Sequence, residues 1–195
     1  MLTLCLDTSY LYLGVALIRD DRLIASYCEV CAKKQSESIF TAIDNVFSQA
    51  GVDRNDIDSV CLSEGPGSYT GVRIGMTVGK VLCSINNIDL YTISSLRLYA
   101  SGQEDTMVIM DARASRAYFG LYDKDKCLIP DQVLPLEQIP VRDHRIVLDG
   151  TLVGKDNVPV DVPNAFLMTK SSWKKVDNIH HLVPVYLKES DAYYR

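Results

Sequence analysis

Ser63-Glu64-Gly65-Pro66-Gly67-Ser68-Tyr69-Thr70-Gly71 runs directly into Val72-Arg73-Ile74-Gly75-Met76-Thr77-Val78-Gly79-Lys80-Val81-Leu82-Cys83-Ser84-Ile85. The run Asp58 to Ser63 has the length of a short buried strand, and three glycines with Pro66 mark a sharp backbone turn. The order is therefore strand, glycine turn, helix. At about 100° per residue the helix sorts into three stripes. Ile74, Val78, Val81 and Ile85 form an aliphatic stripe suited to packing on a sheet, and Arg73, Thr77, Lys80 and Ser84 a polar stripe for water. Gly71, Gly75, Gly79 and Cys83 recur every fourth residue on the third, flanked by Val72 and Met76. Two interior helical glycines cost about 2 kcal/mol relative to alanine, and close approach of another backbone is the expected return. A second helix, of this chain or another, can lie in so flat a groove.

The loop Gly65, Pro66, Gly67, Ser68, Tyr69, Thr70 invites an anion, because glycine-rich N–H groups at a helix start hold phosphate well. No Gly-Lys-Ser/Thr follows, Lys80 comes too late, and the glycines at 65, 67 and 71 fit a dinucleotide fingerprint poorly. A structural turn that docks against a partner is the other reading.

The 195 residues, 47% hydrophobic and 23% charged, suffice for one domain or two small lobes with real cores. A net charge of −5 lacks the basic footprint of an autonomous nucleic-acid binder, so any RNA link is expected to run through a partner. No apolar run reaches membrane-spanning length, and Met1 to Asp7 has neither the basic start nor the cleavage site of a signal peptide. A cytoplasmic location without membrane contact is the expectation. The six cysteines mostly sit in apolar runs, as free thiols do. Cys28 and Cys31 have redox spacing, but at a strand end they point to opposite faces with no second pair nearby.

Leu2 to Asp7, Leu11 to Ile18 and Leu23 to Val30 read as three strands in a meander, with a polar hairpin at Arg19 to Arg22. Ser36 to Ala50 places Ile39, Ala42, Ile43, Val46 and Phe47 on one face of a helix, with a candidate serine cap, and Gly51 stops it. A strand follows at Leu90 to Ile93 and a short helix from Ser95 to Ser101. Beyond the linker Gly102 to Asp105 the opening is echoed: Asp7, Gly14 and the turn at Asp20 find counterparts in Asp111, Gly120 and the turn at Asp123. Pro130, Pro135 and Pro140 leave little room for a long helix in this second copy. Arg145 to Gly150 reads as a strand and Ala165 to Val176 as a short helix. The plan is an α/β chain with a duplicated ribonuclease H-like unit of the actin, hexokinase and Hsp70 kind, an N-terminal lobe over 1–102 and a reduced C-terminal lobe over 103–195.

The run Gly65 to Gly75, with Leu6-Asp7-Thr8, Met110-Asp111-Ala112-Arg113 and Pro184-Val185-Tyr186-Leu187-Lys188, resembles the bacterial TsaB (YeaZ) family across nearly the whole chain. The resemblance implies a non-catalytic, cofactor-free dimerisation subunit. Its implied partner is TsaD, the transferase that threonylcarbamoylates the adenosine beside the anticodon, with the ATPase TsaE also joining and tRNA reached only through the complex. It places the pairing surface on N-lobe helices. Joined to the glycine stripe, that gives Ile39, Ile43, Gly71, Val72, Gly75, Met76, Gly79 and Cys83 as the expected partner face, which can also support a homodimer. Many relatives carry a histidine where this chain has Gln35, and many have a longer C-terminal lobe.

The alternative is an independent ATP-dependent phosphotransferase with Asp7 and Asp111 at a metal and the glycine loop on phosphate. Ser9 and Arg113 stand where phosphate-binding glycine turns are expected, which favours aspartates that cap turns. The three histidines, His144, His180 and His181, lack metal-site spacing, and Ser68 has no histidine to activate it.

Overall fold

The computed structural model describes residues 1–31 and 34–187. β1 (Leu2–Asp7), β2 (Tyr12–Arg19) and β3 (Arg22–Val30) form the antiparallel meander. β4 (Ser59–Ser63) and β5 (Asp89–Ile93) add in parallel on the far side of β1. The crossovers between them are the amphipathic helices α1 (Gln35–Ala50) and α2 (Tyr69–Asn86). α1 ends, as its sequence predicts, at a left-handed Gly51; its start is preceded by Lys34 and carries no side-chain cap, so the expected serine cap is absent. α2 begins three residues earlier than its apolar pattern, because Ser68 Oγ accepts the Gly71 N–H at 3.2 Å and caps it.

After α3 (Ser95–Ala100) the second lobe repeats the meander with β6 (Thr106–Asp111), β7 (Arg116–Asp123) and β8 (Lys126–Pro135), and β9 (Arg145–Leu148) joins β6 in parallel. The first sheet is ordered β10 (Lys174–Lys175), β5, β4, β1, β2, β3 and the second β8-β7-β6-β9, so both start from the same ribonuclease H-like arrangement and the second stops short. Pro130 is accommodated within β8, an edge strand, where Pro130 and Asp131 oppose Gly120 in a bulge.

Three further sequence expectations change. The glycine echo is not a structural equivalence: Gly14 lies opposite Asp7, whereas Ala117 lies opposite Asp111 and Gly120 faces Val108. Gly14 is needed because a Cβ there would stand 2.6 Å from Val162 Cγ1 of α4 (Val162–Met168), the helix that packs the second lobe on β2 and β3. The last helix is α4, earlier and shorter than expected. Finally, the chain does not stay in the second lobe. β10 (Lys174–Lys175) pairs with β5, and residues 176–187 run back along the first lobe.

The lobes share one core: Cys5, Tyr12 and Ala16 from the first sheet, Val108, Met110, Tyr118 and Tyr122 from the second, and Phe166 of α4 form a single buried cluster. A second cluster lies between the first sheet and α1/α2. Burial is worth about 25 cal/mol per Å² of apolar surface, so a shared core opposes hinging of one lobe against the other. Among the described residues no helix is long and apolar enough to cross a membrane.

Candidate functional site

The strand-end aspartates were the sequence's candidates for metal chemistry. Asp7 is fully buried. One carboxylate oxygen accepts the Ser9 N–H at 3.0 Å and the hydroxyls of Ser9 at 2.7 Å and Ser63 at 2.5 Å; the other accepts the Tyr99 hydroxyl at 2.7 Å. Burial and then the Asp7 charge raise the Tyr99 pKa well above its usual value, so the phenol stays a donor. Asp111 accepts the Arg113 N–H at 2.7 Å and pairs with its guanidinium at 2.9 Å. Between the lobes, the Tyr10 hydroxyl donates to Asp149, and the Asp111 N–H is directed at Asp149 Oδ2 (2.7 Å) and the Tyr10 oxygen (3.2 Å). The Asp111 N–H is thus already occupied by partners of its own chain. Gln35 is buried and donates to the Tyr10 carbonyl at 3.1 Å. Neither Tyr10 nor Asp149 was foreseen, because their juxtaposition spans 139 residues.

The glycine loop is likewise engaged by its own chain. Ser68 N–H donates to the Ser9 carbonyl at 2.7 Å, Glu64 N–H to Ile93 O at 2.9 Å, and the Gly65 carbonyl accepts Ser95 N–H at 2.9 Å. A Cβ on Gly67 would stand 2.2 Å from Ser9 O. The loop is pressed onto the Asp7-Thr8-Ser9 turn through Gly67 and the Ser68 N–H. These donor sets do not fit the metal-phosphate reading. Among the described residues no group of three His, Cys, Asp or Glu side chains could hold a metal. Cys28 and Cys31 are both free, one exposed and one buried.

The glycine stripe of α2 faces inward, which corrects the expected partner face. A Cβ on Gly71 would lie 2.2 Å from Thr8 O, on Gly75 2.8 Å from Thr8 Oγ1, and on Gly79 2.7 Å from Leu62 Cδ2. Thr8 uses that closeness: its hydroxyl donates to Gly71 O at 2.7 Å and accepts Gly75 N–H at 3.0 Å, bridging one turn of the helix. Val72, Met76 and Cys83 are buried on the same face, and Ile39 and Ile43 on the inner face of α1. All eight residues are core of this chain. The backbone that Gly71 admits is that of Thr8, just after β1, and Gly79 admits the Leu62 side chain of β4.

With the glycines on the sheet, the aliphatic stripe is turned outward. Val81 is 50% and Ile85 76% exposed, and Phe40 of α1 62%. Between the helices a groove of about 420 Å³ is lined by Ile39, Phe40, Tyr69, Ile74, Thr77 and Val78. Arg73 sits over the Tyr69 ring at 5.2 Å, and Tyr69 stacks on Tyr186 at 5.4 Å.

Comparison with known proteins places this geometry. Over 98% of its length, and 96% of the other protein's, the chain is 31% identical to the tRNA threonylcarbamoyladenosine biosynthesis protein TsaB of Bacillus subtilis (strain 168). The chain belongs to the TsaB family. Residues 27–138 also match the family model described as TsaD, tRNA N6-adenosine threonylcarbamoyltransferase. A transferase of that name from Agrobacterium fabrum is 31% identical over 72 residues, 37% of this chain and 20% of the transferase. A Pseudomonas aeruginosa crystal structure, described as an uncharacterized protein with similarity to peptidase YEAZ, superposes with a TM-score of 0.84 at 23% identity, covering 96% of this chain and 99% of that one. The fold of that structure thus spans nearly all of the chain, the reduced second lobe included.

Proposed function

We propose that this chain is a non-catalytic subunit that pairs with a TsaD-like transferase and thereby supports threonylcarbamoylation of tRNA in the cytoplasm. The observation that carries the reading is the outward apolar face of α1 and α2, with Phe40, Val81 and Ile85 exposed beside the groove. The satisfied aspartates and occupied loop N–H groups support a binding role over phosphotransfer. In this reading the residues that meet the partner are the exposed neighbours of the expected eight, and the glycines act indirectly by seating α2 on the sheet. The signature loop, Gly65 to Thr70, sets where α2 starts. The same face supports a homodimer when the partner is absent. A TsaE-like ATPase joins the assembly, and tRNA is reached through the complex, in keeping with the net charge of −5.

Light scattering after size exclusion, on the chain alone and mixed with the transferase of the same source, tests this. Val81→Asp places a charge on a half-exposed position without entering the core. A one-to-one complex that Val81→Asp disrupts is the expected outcome. No complex with the wild-type chain refutes it.

A further inference from the structure

After β10 the chain runs along α2 from its C-terminal end to its N-terminal end. The 3-10 turn Ile179–His181 packs on α2, Lys80 Nζ donates to the carbonyls of His180 (3.2 Å) and Leu182 (3.0 Å), and Val185 N–H donates to Glu64 O at 2.8 Å. Gly65, at φ +102°, leaves room for Val185 O, which a Cβ would meet at 2.7 Å. Tyr186 then reaches the first turn of α2 and stacks on Tyr69. Around the helix, Lys80 lies roughly 140° from Ile74 and Val78, which line the groove with α1, while Tyr69 at the first turn lines the end of that groove and meets the strap through Tyr186. α2 is therefore flanked by α1 on one side and by this strap on the other. The strap keeps apolar side chains outside: Val183 is 68% exposed, and Val185 and Tyr186 are each 37% exposed.

We propose that the strap, residues 182–187, is a third ridge of the docking face, with Tyr186 as its aromatic anchor. This rests on the reading that α1 and α2 bind the transferase. The occupant is the transferase's own helix pair: residues 27–138 of this chain, which include α1 and α2, match the transferase family, so the partner carries related helices and can meet these in a pseudo-twofold pairing. Charge selects the kind of helix. α2 carries Arg73 and Lys80 and no acidic residue, with Arg73 at the α2–strap edge over Tyr69. A partner helix presenting a carboxylate beside apolar side chains complements that edge. Tyr and Arg are the residue types that most often dominate such interfaces.

The test is calorimetric titration of the full chain with the transferase of the same source, using Val183→Asp, Tyr186→Ala and, as a probe of the helical face, Val81→Asp, each checked for an unchanged thermal midpoint. Both strap variants are expected to raise Kd about tenfold or more. Val183 is mostly in solvent, so its variant remains informative if Tyr186→Ala loosens the strap. Wild-type affinity in both strap variants with loss in Val81→Asp overturns the strap while leaving the helical face standing. Wild-type affinity in Val81→Asp removes the helical reading and the strap proposal with it.

Discussion

Gly71→Ala separates a glycine stripe that seats a helix on its own sheet from one that receives another protein. Helix propensity alone makes the substitution favourable by up to about 1 kcal/mol. The structure opposes this, because the new Cβ would stand 2.2 Å from the Thr8 carbonyl oxygen, a backbone atom. An ordinary carbon–oxygen contact is about 3.3–3.6 Å, so the first turn of α2 must withdraw by about 1 Å. That withdrawal strains both buried bonds of Thr8, to Gly71 O at 2.7 Å and from Gly75 N–H at 3.0 Å. Each bond contributes about 0.5–1.5 kcal/mol, and a group left unpaired costs about 1–3 kcal/mol. The net expectation is a loss of about 2–4 kcal/mol, or about 4–16 °C in Tm for a chain of this size. Gly75→Ala, against the Thr8 hydroxyl, should cost less; Gly79→Ala, against a rotatable Leu62 methyl, should stay within about 1 kcal/mol of wild type. Urea unfolding followed by far-ultraviolet circular dichroism, at constant m, measures the series. Gly71→Ala as stable as wild type, or Gly79→Ala as the worst of the three, refutes the reasoning.

Asp7→Asn replaces an acceptor of four hydrogen bonds by a group that must place an NH₂ among donors, and a loss of about 2–3 kcal/mol in urea is expected; a neutral result would show that the cluster is not structural. Tyr10→Phe removes the interlobe bond to Asp149, and hydrogen exchange should rise at the Asp111 amide while the first-lobe core stays protected; unchanged exchange would dismiss the latch. Burial raises the pKa of Tyr10, Tyr99 and Tyr122, helped by Asp149, Asp7 and Asp131 respectively. A raised phenol pKa means the folded state holds the proton more tightly, so this stability is fully present below about pH 10 and is lost as pH rises further. Ultraviolet titration of phenolate should therefore show these three ionising only together with unfolding, and free titration near the ordinary value contradicts the burial.

Much of this protein is legible in one dimension. The meander, its hairpin turns, α1 with Gly51, the strand before the glycine loop and the repeat of Thr106–Asp111 follow from local periodicity and turn chemistry, which act over a few residues. The short reach of that information explains the misses. Ser68 caps α2 through one hydrogen bond, which apolar spacing does not record. Gly120 stands opposite Val108, three residues along β7 from the Ala117 that faces Asp111, so the repeated glycine does not mark the same place in the ladder.

The candidate site divides in the same way. From the sequence alone, α2 has three distinct faces, one made of glycines, and something must approach that face closely. Periodicity separates faces without saying which one turns inward. Thr8 decides that, from 63 and 67 residues away, by inserting its hydroxyl between Gly71 and Gly75. Once the glycines seat on Thr8 and on β4, helical geometry obliges the aliphatic stripe to face outward, where Val81 and Ile85 meet solvent. The closing segment is likewise read only in three dimensions, because an extended strap has no period of its own and is defined by the carbonyls it offers to Lys80 and the ring it lays on Tyr69.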